Sequence, residues 1–325
     1  MNINVLFAIK RNVILLISTV CFISLSACID NHIVNEWDHQ CGNGSGGSSD
    51  STSGGQLQAV AFTAEVNQLV TKSGTTPLQA DRNVDVYSLY NMGDYITTTS
   101  YYTETPGVLT SVRNIPLSLY PGLYEFYALS IGNSSQALPS VDISTGFVSS
   151  LQNGLDYLAS QQTNVSISGS TTIGLTFNHA CSQLMITILP GSSTTVIDSI
   201  ASATISQPIT TTTFLSVYTG KIPQVTTLST TPIAMNIVDS LCNQILLPMK
   251  RIDSLTMNFS VYVNGETDMR PYTVKIPLVD QQMISGSSYQ YQINLSEEKV
   301  YISTATVNDW TDVDETGTPL TPTPN

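Results

Sequence analysis

Charge is scarce in this 325-residue chain, and positive charge scarcest: 11% of residues are charged, with 11 Lys and Arg against 24 Asp and Glu. A net charge of −13 argues against nucleic acid as a partner, because phosphates are held by Lys and Arg. Cysteine is equally thin. The five are Cys21, Cys28, Cys41, Cys181 and Cys242, widely spaced and without a CxxC pair. That spacing yields neither a disulfide framework nor a zinc site, and leaves at most a single bridge open. No later stretch reaches the ~18 apolar residues of a membrane-spanning helix. A glycine-rich phosphate loop, a serine-hydrolase elbow and a locally spaced carboxylate pair are all missing, so no catalytic residue, metal or cofactor is expected and the chain does not read as an enzyme. Asp309, Asp312, Asp314 and Glu315 fail the EF-hand spacing, for no Glu fills the last ligand position after Asp312, and they read as a solvated acidic tail.

What is present begins at the N-terminus. Lys10 and Arg11 precede an apolar run from Val13 to Leu25, and Leu25-Ser26-Ala27-Cys28 closes it. The run is too short for a stable span, and the closing tetrapeptide resembles the lipobox of bacterial lipoproteins. That likeness implies cleavage before Cys28 and acylation of its thiol; a plain secretory signal or a retained membrane helix are the other readings. Two or more acyl chains anchor firmly, at roughly 0.8 kcal/mol per buried CH₂. Loss of Lys10 and Arg11 with no acid would move the charge from −13 to −15. Residues 42–55, GNGSGGSSDSTSGG, cannot bury a core and read as a flexible tether. The expected division is 1–27 signal peptide, 28–56 lipidated tether, 57–189 and 190–313 folded, and 314–325 polar tail.

Beyond the tether the apolar residues recur with period two. Val60, Phe62, Ala64 and Val66 alternate with polar or small residues, as do Leu255, Met257, Phe259, Val261 and Val263. Asn264-Gly265 and a further alternation over Tyr272, Val274, Ile276 and Leu278 complete a hairpin signal. Tyr289, Tyr291, Ile293 and Leu295 give one more strand. The best helix candidate, Leu151 to Ala159, lacks an apolar stripe. Many short strands with Gly, Pro and Asn turns predict an all-β chain of two tandem β-sandwiches, divided near Leu189-Pro190-Gly191. Ile173, Leu175, Phe177 and His179 have odd parity while Leu184, Ile186 and Ile188 have even parity, which requires a bulge or break near Ala180 to Gln183.

Two side-chain sets invite sharper readings. His179 is a ligand or base, or a core histidine beside Phe177. Tyr87, Tyr90, Tyr95, Tyr101 and Tyr102 form a sugar-stacking surface or pack a sheet.

Four segments resemble the fimbrillin-like (Mfa-like) family of type V pilus subunits. They are Leu175-Thr176-Phe177-Asn178-His179-Ala180-Cys181-Ser182-Gln183-Leu184-Met185-Ile186, Tyr120-Pro121-Gly122-Leu123-Tyr124-Glu125-Phe126-Tyr127-Ala128, Ile284-Ser285-Gly286-Ser287-Ser288-Tyr289-Gln290-Tyr291 and Val307-Asn308-Asp309-Trp310. The resemblance spans about residues 57 to 313 and implies transthyretin-like topology for the two sandwiches. It also implies export as a lipoprotein to the outer membrane and cell surface, with assembly by strand exchange with other pilus subunits. A trypsin-like protease would cut after Lys72 or Arg82 and remove the first strand, with Val60, Phe62, Ala64 and Val66 vacating a groove that a neighbour's strand then fills. Lys72 where the family often has Arg, and a short Pro/Thr-rich tail, point to an anchor, tip or accessory subunit rather than the shaft. The alternative is a surface lipoprotein that binds a host glycan or protein without polymerising. Asp198-Ser199-Ile200, Asp239-Ser240-Leu241 and Asp253-Ser254-Leu255, with Asp50-Ser51-Thr52, resemble the O-glycosylation sites of proteins exported by these bacteria.

Overall fold

Alternation becomes burial throughout. In the strand Ser254–Val263 the side chains of Leu255, Met257, Phe259, Val261 and Val263 are buried and those between them are not, as a pleat with one face on a core demands. The computed structural model describes residues 56–68, 74–90, 95–296 and 299–310. The signal segment, Cys28, Cys41, the tether, Lys72 and the tail from Thr311 lie outside them.

The first half carries β1 (Gln58–Gln68), β2 (Gly74–Pro77), β3 (Asn83–Tyr90), β4 (Tyr95–Thr105), β5 (Val108–Ser111), β6 (Leu117–Leu119), β7 (Gly122–Ile131), β8 (Val141–Asp142), β9 (Phe147–Val148), β10 (Tyr157–Ile167) and β11 (Thr171–His179). The second carries β12 (Ser182–Pro190), β13 (Ile197–Ile205), β14 (Leu215–Ser216), β15 (Ile233–Ala234), β16 (Asn236–Val238), β17 (Leu241–Leu246), β18 (Met249–Lys250) and β19 (Ser254–Val263). It ends with β20 (Arg270–Pro277), β21 (Gln282–Met283), β22 (Ser287–Leu295) and β23 (Val300–Asp309). One 3-10 turn, Val279–Gln281, is the sole helical element among the described residues. The chain is all-β, and the Leu151–Ala159 stretch is no helix: Tyr157 opens β10.

The first sheet runs β11-β10-β7-β3-β4-β5-β1-β2, with β6 also on β1. Because β1 additionally pairs with β11, the sheet closes on itself around Val60, Phe62, Val86, Tyr101, Phe126 and Phe177. The second half is a sandwich. A five-stranded sheet, β16-β17-β12-β22-β23, faces a four-stranded one, β15-β13-β19-β20, across a core that includes Leu184, Ile186, Phe259 and Tyr289. The predicted hairpin is β19–β20, turned through Asn264 and Gly265, both at positive φ.

The parity change resolves into a break. β11 ends at His179 and β12 starts at Ser182 in a different sheet. A third cluster lies where the sheets approach, joining Tyr87, Leu129 and Leu151 to Leu215, Leu247 and Trp310. The small sheet β14-β9-β8 bridges the same region, and the described residues belong to one compact unit.

Candidate assembly site

β1 is the strand on which the first sheet's closure depends. Val60, Phe62, Ala64 and Val66 point inward and are 1%, 2%, 0% and 4% exposed. Phe62 meets the rings of Tyr101 and Phe126 edge-on, at 5.4 and 5.5 Å between centroids. Each large apolar side chain so buried contributes roughly 1.5–3 kcal/mol. Tyr101 belongs wholly to this core, and burial pushes its phenol up to about 12. Tyr87 is also buried and Tyr90 packs on Tyr124, so these three tyrosines pack the sheet.

The backbone of β1 is held on both sides. Val60 to Val66 run parallel to Thr171 to Phe177 of β11. On the other side β2 takes Glu65 to Gln68, β6 takes Gln58 to Val60, and β5 touches only at Thr63 and Val108. Ala64 supplies two of the links between: its N–H donates to Gly107 O at 2.9 Å and its carbonyl accepts from Leu78 N–H at 3.0 Å. Gly107 sits at φ +79°, where a side chain would be strained, and a Cβ there would come 3.2 Å from Pro77. Beside the start of β1 an open cleft of ≈ 510 Å³ is lined by Ala59, Tyr101, Leu109, Asn114, Pro116 and Thr172, among others. Parallel pairing of the first strand with β11 connects positions over a hundred residues apart, and no local signal announces it.

Arg82 stands just before β3, in a well-held turn. Its N–H donates to Thr103 Oγ1 at 2.8 Å, its carbonyl accepts from Thr103 N–H at 2.9 Å, and its Nε donates to Gly132 O at 2.6 Å. The other cleavage candidate, Lys72, lies outside the described residues.

His179 is buried in a constellation drawn from three parts of the chain. Its Nδ1 lies 2.9 and 3.0 Å from the carboxylate oxygens of Asp156, so the Nδ1–H donates to an acceptor-only group. Its ring stacks on Trp310 at 4.3 Å and 13°. Gly132 makes the room, since a Cβ there would fall 2.4 Å from Asp156 Oδ2. Sequence reading found His179 and the closing Trp separately and missed Asp156. The described residues hold no group of three or more His, Cys, Asp or Glu that could bind a metal. Cys181 and Cys242 are buried free thiols. Burial pushes both up, Cys242 to about 12, so neither is a nucleophile in the fold.

A family model described as fimbrillin-like matches residues 70–310. The chain belongs to the fimbrillin-like family. Membership makes it a fimbrial or adhesin-type subunit and puts it at the cell surface, with other fimbrial subunits as partners. Three solved structures share the fold. A candidate cell adhesion protein of Bacteroides uniformis is 19% identical, with 78% of this chain and 98% of that one covered, at a TM-score of 0.58. One from Bacteroides ovatus is 16% identical, with 80% and 100% covered, at 0.60. One from Bacteroides fragilis is 17% identical, with 79% and 99% covered, at 0.54. A search of the curated proteins gives no match.

Proposed function

We propose that this fimbrillin-like chain is exported as a lipoprotein acylated at Cys28 and joins a fimbria by replacement of β1 with a strand from another subunit. The observation that carries this reading is the place of β1: one strand at the start of the folded region closes the first sheet. It seats four inward side chains, Val60, Phe62, Ala64 and Val66. Main-chain hydrogen bonds from β11 and from β5 and β6 would give an incoming strand affinity, and the four vacated pockets would set its register. The family match beginning at residue 70, just past β1, fits a strand that is not part of the lasting body.

Two sandwich domains, one per half, complete the proposal, as does a structural role without catalysis. Cleavage after Lys72 would release β1 and keep β2. Cleavage after Arg82 would release both, and must first undo the hydrogen bonds to Thr103 and Gly132. An anchor, tip or accessory place suits a tail with Pro319, Pro322 and Pro324, which lack the N–H groups a donor ladder needs.

The deciding experiment is the N-terminus of the protein taken from its native cell surface, by intact mass and fatty-acid labelling. A chain starting after Lys72 or Arg82, without lipid, supports strand replacement. A chain that still begins at acylated Cys28 overturns strand replacement and leaves a membrane-held anchor or a solitary surface protein that binds a glycan or protein.

A further inference from the structure

The four inward seats of β1 differ in size, and the difference lies in the middle pair. The outer two, at Val60 and Val66, hold the same side chain. The seat at Phe62 takes a ring. It lies beside Ile173 of β11 and is faced by Tyr101 and Phe126. The seat at Ala64 takes a methyl group. Ala64 is fully buried beside Leu175 of β11, and the buried Leu78 donates its N–H to the Ala64 carbonyl from the other side. Interiors are packed to crystal-like density, so a fully buried alanine marks a space no wider than its own side chain.

That inequality reads what alternation cannot. A slip of one residue turns the apolar face of a strand to solvent and is rejected on that ground. A slip of two keeps every inward residue inward, because the period is two, and only seat size opposes it. In one direction such a slip drives the Phe62 ring into the seat of Ala64. In the other it leaves the ring seat to Ala64 and opens a cavity beside Tyr101 and Phe126. Reversal of the strand about Thr63 exchanges the same two residues and puts Val back in both outer seats. The Phe62 and Ala64 seats alone therefore distinguish direction.

We propose that this pair of seats selects the strand that replaces β1, fixing its register and its direction. The partner segment runs parallel to β11. It carries an aromatic residue, then Ala or Gly two positions later, with an aliphatic residue two positions outside each. Proline is excluded at the small position, because the Ala64 N–H donates to Gly107 O at 2.9 Å. Serine is disfavoured there, since its hydroxyl would be buried in an apolar seat. Residues 28–55 and 311–325 of this chain hold no such run. Trp37 is followed two positions on by His39, and residues 311–325 contain no aromatic side chain. Neither of those segments in a second copy is therefore the strand the seats accept. The inference rests on strand replacement at β1 and adds to it the sequence class of the partner.

The probes are two labelled synthetic peptides of residues 56–68, which contain no Lys or Arg and so survive trypsin. One has the sequence of this chain. The other carries Phe62→Ala with Ala64→Phe, so composition and alternation are the same. The full chain is digested briefly with trypsin in excess peptide, and the label that stays with the folded protein through gel filtration is measured. Retention of the unaltered peptide, with the exchanged one about tenfold or more weaker, supports the proposal. Retention of the exchanged peptide as well as or better than the unaltered one overturns it and leaves strand replacement standing. Retention of neither overturns strand replacement and this inference with it. The same exchange in the uncut chain is a second reading. An unfolding constant raised about tenfold or more in urea supports seats specific in size, and an unchanged unfolding curve overturns them.

Discussion

At His179 three stretches of chain meet: β11, the residue before β10, and the residue after β23. A buried imidazole with a carboxylate on one nitrogen and an indole against its face is an expensive set to break, because removing one partner leaves the other buried without it. His179→Ala is expected to lower the unfolding free energy by about 3–5 kcal/mol, read from urea melts; a loss under about 1 kcal/mol would show the pair to be incidental. The buried thiols and phenols make a second residue-scale prediction. Burial holds Cys242, Tyr101 and Tyr291 protonated up to about 12, whereas unfolded thiols and phenols ionise near about 8.5 and 10. The folded state therefore keeps protons that the unfolded state gives up. Their contribution is complete below about pH 8.5 and is lost as pH rises toward about 12. The urea midpoint is expected to hold level to about pH 8 and to decline steadily above about pH 9; a midpoint that stays constant through that range argues against these residues remaining buried.

Among the elements, β1 has the most asymmetric faces. Phe62→Ala removes a ring that touches Tyr101 and Phe126 and is expected to cost about 3–5 kcal/mol. Thr63→Ala, one residue on and exposed, is expected to stay within about 0.5 kcal/mol. Equal effects in chemical denaturation would mean that β1 is not seated as described. The contrast matters for assembly, since a strand that leaves and is replaced must recover its affinity from the inward residues alone. β11 and β12 make a related point. Each is a regular alternating strand, but two residues between them move the chain from one sheet to the next, so parity changes without any bulge inside a strand.

For the molecule as a whole, the cluster of Tyr87, Leu129, Leu151, Leu215, Leu247 and Trp310 ties the two halves together. One core shared by both halves predicts a single calorimetric transition. Trp310→Ala should divide it, the half containing β23 melting first, at a cost of about 3–5 kcal/mol; two separate transitions in the unaltered protein would contradict a shared core. Trypsin gives a further check at this scale. Arg82 is tied to Thr103 and Gly132 and is expected to be cut only after Lys72 when the folded protein is digested briefly. First cleavage at Arg82 would mean that the turn before β3 opens readily.

Much of this protein was legible one residue at a time. Alternation in Val60 to Val66, in Leu255 to Val263 and in Tyr289 to Leu295 named strands and their inward faces, because a pleated strand beside a core obliges its side chains to alternate. Asn264-Gly265 marked its turn for an equally local reason, both residues tolerating positive φ. The parity change near Ala180 foretold a bulge or break, and the break is what the fold has. What local pattern could not supply was partnership. That β1 lies parallel to β11 and that Asp156 and Trp310 close on His179 both depend on contacts between distant residues. Periodicity tells which face of a strand is buried, but the neighbour that buries it is chosen by the packing of the whole chain.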